Sequence, residues 1–265
     1  MLSLSPSFEP QASVSFKPDV LLGKSFTTID LSDLGEAALL NRVETKYLLT
    51  KEQLEQILTT LLEHYLVLDA YGTENPYQSL YFDTPDFALY HRHHAGAKGR
   101  YKLRSRRYCA SDSSFFEVKF KDNHSKTFKK RMATAELVTS VENVSNFIKE
   151  SFPRNAETLA PVLESRYCRI TLVSPAGDER VTIDTGLEFR AEGKTVSLPS
   201  LVIAEVKREN RRVRSSFIDS MKDLHILPHS LSKYCLGISQ LYPVKHNRFK
   251  PTLRHLKKLT ELIHA

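Results

Sequence analysis

Charged side chains occupy all or most of the alternate positions in five segments of this sequence. The alternating sets are Arg42, Glu44 and Lys46; Lys102, Arg104 and Arg106; Glu117, Lys119 and Lys121; Arg180, Thr182 and Asp184; and Glu205 and Lys207. Because successive side chains of a β-strand point to opposite faces, each set lies on one face of a predicted strand. The residues between them, such as Val118 and Val206, are mostly apolar. The pattern predicts several strands with one ionised face and one core face.

Ionised faces of this density indicate a polyanionic ligand. A solvent-facing sheet explains alternation in one strand, but such faces usually carry Ser, Thr and Gln as well as charges. Cations on facing strands repel one another unless an anion lies between them. Arg binds phosphate oxygens with its planar fork, whereas Lys acts as a mobile point charge. We therefore expect the strands to surround a phosphate chain.

Carboxylates among these cations indicate a metal ion. Mg²⁺ and Mn²⁺ prefer oxygen ligands and bridge to substrate phosphates. Glu205 and Glu117, each in an E-V-K triplet, are the first candidates for ligands, and Glu44 is the third. The histidine run HRHH at 91–94 has no matching carboxylate pattern, and we expect it to be solvated.

The composition limits the classes of function. The chain has 265 residues, with 38 Lys and Arg against 31 Asp and Glu, a formal net charge of +7. This balance favours a nucleotide, polyphosphate, nucleic acid or acidic membrane as partner and does not choose among them. No RNP, zinc-finger or helix-turn-helix signature supports nucleic acid, and we interpret the basic segment 208–214 as a solvated loop. The three cysteines are widely spaced, which disfavours a disulfide framework or zinc site and favours a reducing compartment.

The hydrophobic pattern predicts an α+β fold. Predicted strands cover 42–49, 79–82, 100–108, 114–121, 127–134, 165–173, 180–189 and 201–208. Predicted helices open at Thr50, where Gln53 completes a capping box, and at Thr84, with Pro85 in the first helical position; others cover 140–150, 215–224, 231–241 and 252–264. Short turns between strands favour antiparallel pairing, so we expect a closed or nearly closed antiparallel β-barrel with flanking helices.

The sequence also predicts how the chain is divided into a domain and two flanking segments. Residues 1–25 are predicted to be a flexible lead-in, 26–245 a single domain and 246–265 a basic C-terminal helix. No apolar stretch approaches the roughly 20 residues that a membrane span needs, and no signal pattern opens the sequence. We therefore expect a cytoplasmic protein without a transmembrane segment.

The charged segments, taken in order, resemble one known family. They are R-V-E-T-K-Y (42–47), L-Y-F-D-T (80–84), R-S-R-R-Y (104–108), F-E-V-K (116–119), R-Y-C-R (166–169), R-V-T-I-D-T (180–185), I-A-E-V-K (203–207) and S-K-Y-C-L-G (232–237). Over about residues 30–242 the sequence resembles the VTC domain, the polyphosphate polymerase domain of the triphosphate tunnel metalloenzyme superfamily. The resemblance implies an eight-stranded antiparallel tunnel, a divalent metal ion (Mn²⁺ or Mg²⁺), and transfer of the terminal phosphoryl group of ATP to a growing polyphosphate chain.

The resemblance also implies roles for individual residues. Phosphate-binding residues at the catalytic centre would be Lys46, Arg104, Arg106, Lys119, Arg169, Arg180 and Lys233. Tyr167 would support Arg169, Ser232 would assist beside Lys233, and Glu205 would hold the metal ion. Further basic positions are expected to bind substrate or product, and these are Lys102, Lys121, Lys129, Arg131 and Lys207.

Two departures from the family pattern leave other functions open. Ser230 stands where eukaryotic members have a basic residue, and Arg42 stands where hydrolytic relatives have the first glutamate of E-x-E-x-K. A triphosphate hydrolase or nucleotidyl cyclase with the same tunnel is one alternative, and a non-catalytic polyphosphate-binding regulator is another. The expected partners are ATP and inorganic polyphosphate, without nucleic acid. A membrane protein that accepts the product, contacted through the C-terminal helix or the lead-in, would place the protein at the membrane periphery.

Overall fold

The computed structural model describes residues 26–34, 43–124, 126–154 and 156–261, so the predicted lead-in 1–25 and Arg42 lie outside the described residues. The strands are β1 (Thr28–Asp30), β2 (Val43–Thr50), β3 (Leu66–Asp69), β4 (Glu74–Asp83), β5 (Arg100–Tyr108), β6 (Ser113–Lys121), β7 (Thr127–Thr134), β8 (Ala160–Val173), β9 (Glu179–Ala191), β10 (Lys194–Leu198) and β11 (Leu201–Arg208). Each of the eight predicted strands is present, and the short strands β1, β3 and β10 were not predicted.

The eight predicted strands form one continuous antiparallel path in the order β2-β11-β9-β8-β4-β5-β6-β7. Lys119 of β6 lies close enough to Glu205 of β11 to interact with it electrostatically, although four strands separate β6 from β11 in this order. The sheet must therefore curl into a tunnel that brings these two strands to face each other. Among the described residues no ladder joins β2 to β7, so the tunnel is open along that seam. The α+β class and the tunnel-like antiparallel sheet are confirmed, with a seam in place of a fully closed barrel.

Helices flank the sheet. They are α1 (Lys51–Gln56), α2 (Leu58–His64), α3 (Ala88–His94), α4 (Ser145–Ser151), α5 (Ser216–Asp223), α6 (Lys233–Leu241) and α7 (Lys250–Glu261). The capping box at the start of α1 is confirmed: Thr50 Oγ1 accepts from Gln53 N at 3.2 Å, and Gln53 Oε1 accepts from Thr50 N at 2.9 Å. Helix α3 begins later than predicted, because Phe87 adopts a left-handed conformation (φ 56°) and Thr84 Oγ1 caps Ala88 N.

Two apolar layers cover the outer face of the sheet. One packs β2, β8, β9 and β11 against α1, α2 and α5, around Leu61, Val206 and Phe217. The other packs β4, β5 and β6 against the segment 138–152, around Phe116 and Ile148. Because one strand face is used for these cores, the alternating charged residues are left to line the inner face, which we call the lumen.

The lumen changes character along its length at a bulge in β9. Cys168 of β8 pairs with Thr185, but Arg166 pairs with Glu188, so β9 contains one extra residue, and Gly186 there has φ 60°. Beyond the bulge the inward residues are apolar, and α6 packs on them through Gly237, beside Leu163 and Phe189. Helix α6 thereby covers the β8–β9 side of one end of the lumen, which we call the floor.

Helix α7 is docked on the domain. Leu256 and Leu259 are buried in the same core as Leu48 and Leu201, and α7 contacts β2 and β11. Its apolar face is therefore occupied by its own domain, which gives no support to the predicted use of this helix as a membrane-partner contact. No helix in the described part of the chain is long and apolar enough to span a membrane.

Gly237→Ala tests the contact between α6 and the sheet. A methyl group there would lie 2.6 Å from Leu163 and 2.7 Å from Phe189, so we expect a loss of about 1–3 kcal/mol of unfolding free energy from overpacking. Urea denaturation measures this loss. The control is Gln240→Ala on the exposed side of α6, for which we expect a change below about 0.5 kcal/mol. Equal effects of the two substitutions would contradict the tight floor.

Candidate functional site

Glu205 of β11 lies between two lysines in the lumen. Lys46 is its direct neighbour on β2, with Nζ 2.9 Å from Oε2, and Lys207 places its Nζ 2.5 Å from Oε1. Glu44 contacts the same Lys46 ammonium. Burial favours the neutral acid, but Lys207 and Lys46 hold the pKa of Glu205 well below its usual range. Burial lowers the pKa of Lys46 to about 8, although Glu205 opposes this shift.

Asp184 of β9 is the second carboxylate that holds two cations. It accepts hydrogen bonds from Arg169 Nε at 2.6 Å and Nη2 at 2.7 Å, and it contacts Lys233 Nζ. Burial raises the pKa of Asp184, but Arg169 and Lys233 outweigh it and hold the pKa at about 2. The sequence pattern placed Asp184 on the charged face with Arg180, as one of the carboxylates that offset the cations, but did not predict it as a site residue.

Glu117 of β6 is the third carboxylate, and its side chain is only 2% exposed. Arg104 approaches Oε2 with Nε at 2.6 Å and Nη2 at 2.5 Å, and Lys129 contacts Oε1. Burial raises the pKa of Glu117, but Arg104, Arg106 and Lys129 hold it at about 2. Both oxygens are held by protein cations, as are those of Glu205, so Glu117 acts as a buried counter-ion in this structure and its role as a metal ligand stays a prediction.

Tyrosines fix the orientation of two arginines. Arg106 donates to Ser79 Oγ at 3.1 Å and to Tyr167 Oη at 2.9 Å. The rings of Tyr77 and Tyr167 stack 5.3 Å apart at 8°. The Arg169 guanidinium lies 5.1 Å from the Tyr77 centroid and 5.4 Å from that of Tyr167. Such stacked guanidinium groups lose little freedom on binding an anion, because the protein already orients them. Tyr77 and Ser79 were not predicted, since their residue types carry no charge signal.

The start of α6 delivers Lys233 into this group. Ser232 is the N-cap of α6, and its Oγ accepts from Cys235 N at 3.5 Å. Lys233 Nζ lies 4.3 Å from the centroid of Tyr167. Tyr234 donates to the buried carboxylate of Asp83, which also accepts from the backbone N–H groups of residues 84, 89 and 90. This clamp between α3 and α6 fixes the helix start that positions Lys233.

The other predicted basic residues lie around these three groups. Lys102, Lys119 and Lys129 are directly opposite one another on β5, β6 and β7. Burial lowers the pKa of both Lys102 and Lys119, and Arg104 lowers each further. Arg180 is opposite Lys207 near the end of the lumen away from α6. Arg131 is opposite Glu117 with its guanidinium 4.8 Å from the Phe115 centroid, and Lys121 lies at the end of β6 opposite Arg100.

The structure thus brings most predicted residues into one lumen and leaves some at its ends. The central set is Lys46, Glu205, Lys207, Lys119, Lys102, Arg104, Glu117, Lys129, Arg106, Tyr167, Arg169 and Lys233. Glu44 and Arg180 lie toward one end, and Lys121 and Arg131 toward the edge formed by β6 and β7.

The histidine run is solvated only in part: His91 is exposed as predicted, whereas His93 and His94 are not. His94 is buried, and His93 Nε2 lies 3.0 Å from the carbonyl oxygen of Tyr101. Burial lowers the pKa of His93 to about 3. Among the described residues no cluster of three or more His, Cys, Asp or Glu side chains is arranged to hold a metal ion.

Comparisons with known proteins identify the family and the fold of this chain. The family model for the VTC domain matches residues 41–242. A protein from Bacillus halodurans assigned as an adenylate cyclase has a similar structure, with TM-score 0.51 and 15% identity, over 76% of this chain and 97% of that one. A Hippeastrum protein assigned as an adenylyl cyclase, with a dominant triphosphatase activity, gives TM-score 0.51 and 17% identity over 78% and 100%. The comparison with curated proteins gives no match.

The curled antiparallel sheet with its charged lumen is the fold of the triphosphate tunnel proteins. Within that class, the match over most of its length shows that this chain belongs to the VTC domain family.

Asp184→Asn tests the electrostatics of the lumen. The pKa of Asp184 is depressed to about 2 in the folded state, so the ionised form stabilises the fold at pH values above its unfolded pKa, near 3.9. That stability is lost as the pH falls from about 4 toward 2. We expect the wild-type protein to lose about 2 kcal/mol more than Asp184→Asn between pH 6 and pH 2.5, by urea denaturation.

The control for this titration is Asp223→Asn, at an exposed position on α5. It should keep the wild-type pH dependence. A wild-type pH dependence in Asp184→Asn as well would show that the Arg169 and Lys233 contacts do not stabilise the ionised form of Asp184.

Proposed function

We propose that this protein is a metal-dependent polyphosphate polymerase, which transfers the γ-phosphoryl group of ATP to a growing polyphosphate chain inside the lumen. One observation carries the proposal: the lumen gathers Arg104, Arg106, Arg169, Lys46 and Lys233 around carboxylates that are already neutralised by cations. Family membership supports the same substrate class.

The arrangement of the cations suits a triphosphate. Arg106 and Arg169 are oriented by Tyr167 and Tyr77, so their forks are in place before the anion binds. Phosphoryl transfer depends chiefly on positioning and on neutralising charge on the non-bridging oxygens. Preorganised arginines supply both effects without reorganisation at the moment of reaction. We assign Arg104, Arg106, Arg169 and Lys233 to the triphosphate clamp.

The protonation states of the carboxylates favour transfer over hydrolysis. Glu117 and Asp184 have pKa values near 2, and the pKa of Glu205 is also well below its usual range. Groups with such low pKa values are weak general bases, because the best catalytic pKa lies near the working pH. A terminal phosphate oxygen of the growing chain is already anionic and needs no base, whereas an attacking water does. The lumen therefore supports a phosphate nucleophile better than water.

The residues around Lys46 include two carboxylates that could hold a metal ion. Glu205 and Glu44 both contact the Lys46 ammonium, so a position between two carboxylates already holds a cation. Mg²⁺ and Mn²⁺ are commonly bound by one or two carboxylates together with substrate phosphates. Glu205, assisted by Glu44, would hold the ion, which when bound would neutralise charge on the transferring phosphoryl group. Lys46, Lys207 and Lys119 would then be free to contact phosphate oxygens.

Other parts of the proposal rest on the family alone. A membrane protein that accepts the chain, with this protein in the cytoplasm, stays a prediction of the VTC resemblance. The test must also detect hydrolysis, because a dominant triphosphatase activity is described for the Hippeastrum protein of similar fold.

Product analysis tests the proposal. Purified protein is incubated with ATP and Mn²⁺ or Mg²⁺, and the products are separated by gel electrophoresis and chromatography. We expect long phosphate chains together with ADP. Orthophosphate without chains would indicate a hydrolase, cyclic AMP would indicate a cyclase, and tight polyphosphate binding without turnover would indicate a regulator; each of these outcomes would overturn the proposal.

Glu205→Gln tests the metal assignment. Loss of the charge that would hold the ion should reduce turnover at least about 100-fold, because metal-assisted charge stabilisation is worth several kcal/mol. Tripolyphosphate binding in the absence of metal should remain, since Lys46 and Lys207 are kept. Glu63→Gln, at an exposed position on α2, is the matched control and should leave turnover unchanged. Full activity of Glu205→Gln would exclude this carboxylate as the metal holder.

A further inference from the structure

Four lumen cations form two directly opposed pairs near the floor. Arg100 is directly opposite Lys121, and Lys102 is directly opposite Lys119, across β5 and β6. Arg100 and Lys102, at the start of β5, lie close enough to Cys235 of α6 to interact with it electrostatically, so the start of β5 lies near α6. Among the described residues none of the four forms an ion pair within 4.0 Å, in contrast to Lys46, Arg104 and Arg169. Like charges directly opposite one another are destabilising, so this group is built to meet an anion.

A cavity of about 500 Å³ lies where these two strands reach the floor. Its wall comes from the end of α3 and the following loop, the outward faces of β5 and β6, the β6–β7 turn, and the segment after α4. The lining residues used below are Arg92, Lys98, Tyr101, Phe120, Asp122 and Arg154. The cavity lies on the outer face of the sheet, beside the ends of the strands that carry these cations: Lys98 and Gly99 precede Arg100 in the chain, and Asp122 follows Lys121.

The charges around the cavity are mainly positive. The Arg92 guanidinium donates to the carbonyl oxygens of Lys98 and Gly99 at 2.7–3.3 Å, which fixes its position without neutralising its charge. Lys98 and Arg154 are exposed and have no carboxylate within 4.0 Å among the described residues. Asp122 is the carboxylate of the wall, and its Oδ1 accepts two backbone N–H groups of the β6–β7 turn at 2.8 Å. This wall offers an anion one oriented guanidinium and two mobile cations.

We propose that this cavity is a second phosphate-binding site, which holds the distal phosphates of a linear polyphosphate whose other end lies in the lumen. The inference rests on the proposed function, because it takes the lumen ligand to be a phosphate chain. The row from Lys119 and Lys102 to Arg100 and Lys121 runs from the triphosphate clamp to the ends of β5 and β6, and a long chain would pass around these ends to reach the cavity. A triphosphate is confined to the clamp, whereas a long chain reaches both sites. The cavity therefore adds affinity only for long chains.

The basic loop 208–214 is the competing surface for a long chain. Its arginines are better matched by acids: Arg208 lies 4.0 Å from Glu179, and Arg214 lies 3.8 Å from Asp219. Arg211 and Arg212 are exposed beyond the end of β11, on the side of the lumen away from α6. Charge reversal at Arg211 and Arg212 is thus a matched control, with the same number of exposed cations changed at the other end.

The test compares equilibrium binding of tripolyphosphate and of long-chain polyphosphate to the full chain, without metal. The double variant Lys98→Glu with Arg154→Glu should bind the long chain at least about tenfold more weakly and bind tripolyphosphate as the wild type does. The variant Arg211→Glu with Arg212→Glu should match the wild type with both probes. Both pairs are exposed, and unchanged thermal unfolding midpoints would confirm that the variants are folded.

Three outcomes would overturn this second site. Long-chain affinity could be unchanged in Lys98→Glu with Arg154→Glu, both probes could weaken equally, or the control pair at Arg211 and Arg212 could lose as much long-chain affinity. Failure of the proposed function has a different signature, because it is detected in the products that the wild-type protein forms from ATP and metal ion, whereas the second site is detected by binding alone. If the lumen does not hold phosphate chains at all, the wild-type protein would bind neither probe. The neutral variant Lys98→Gln with Arg154→Gln should show a smaller loss in the same direction.

Discussion

The structure depends on how it offsets the electrostatic repulsion among the positive charges that it encloses in the lumen. An antiparallel sheet with helices on its outer face must turn the other face inward, and here that face carries arginines and lysines on seven of its eight main strands. Glu205, Asp184 and Glu117 each hold two cations, all from the strands except Lys233 of α6. Removing one partner from such a buried group leaves an uncompensated charge, which is strongly destabilising. The carboxylates therefore act as internal counter-ions that keep the lumen foldable and ready for phosphate.

The backbone divides the lumen into a charged part and an apolar part. The extra residue at Gly186 shifts the alternation of β9, so Asp184 faces inward on one side of the bulge and Phe189 on the other. Helix α6 fills the apolar part, and its first residue, Lys233, reaches the charged part. Packing at Gly237 and the Asp83 clamp thus control the position of a cation in the phosphate clamp. Core packing and site geometry are coupled through one short helix.

The sequence predicted the main sheet and the inward charges because alternation needs only the period of a strand. It predicted the Thr50 capping box for a similar local reason. It did not predict the role of Asp184, the tyrosine stack at Tyr77, or the buried state of Glu117, because these depend on which strands become neighbours. The open seam between β2 and β7 also depends on the curl of the whole sheet. The alternation of charged residues indicated only that the ligand is a polyanion. The family resemblance then supplied the more specific class, ATP and polyphosphate.

The central claim is that phosphate replaces the carboxylates as partner of the lumen cations. A crystal structure of the protein with bound tripolyphosphate measures this directly. The account predicts phosphate oxygens within hydrogen-bond distance of Arg104, Arg106, Arg169 and Lys233, with at least part of the Asp184 and Glu117 contacts lengthened. Tripolyphosphate bound only outside the lumen, with every carboxylate contact kept, would contradict it.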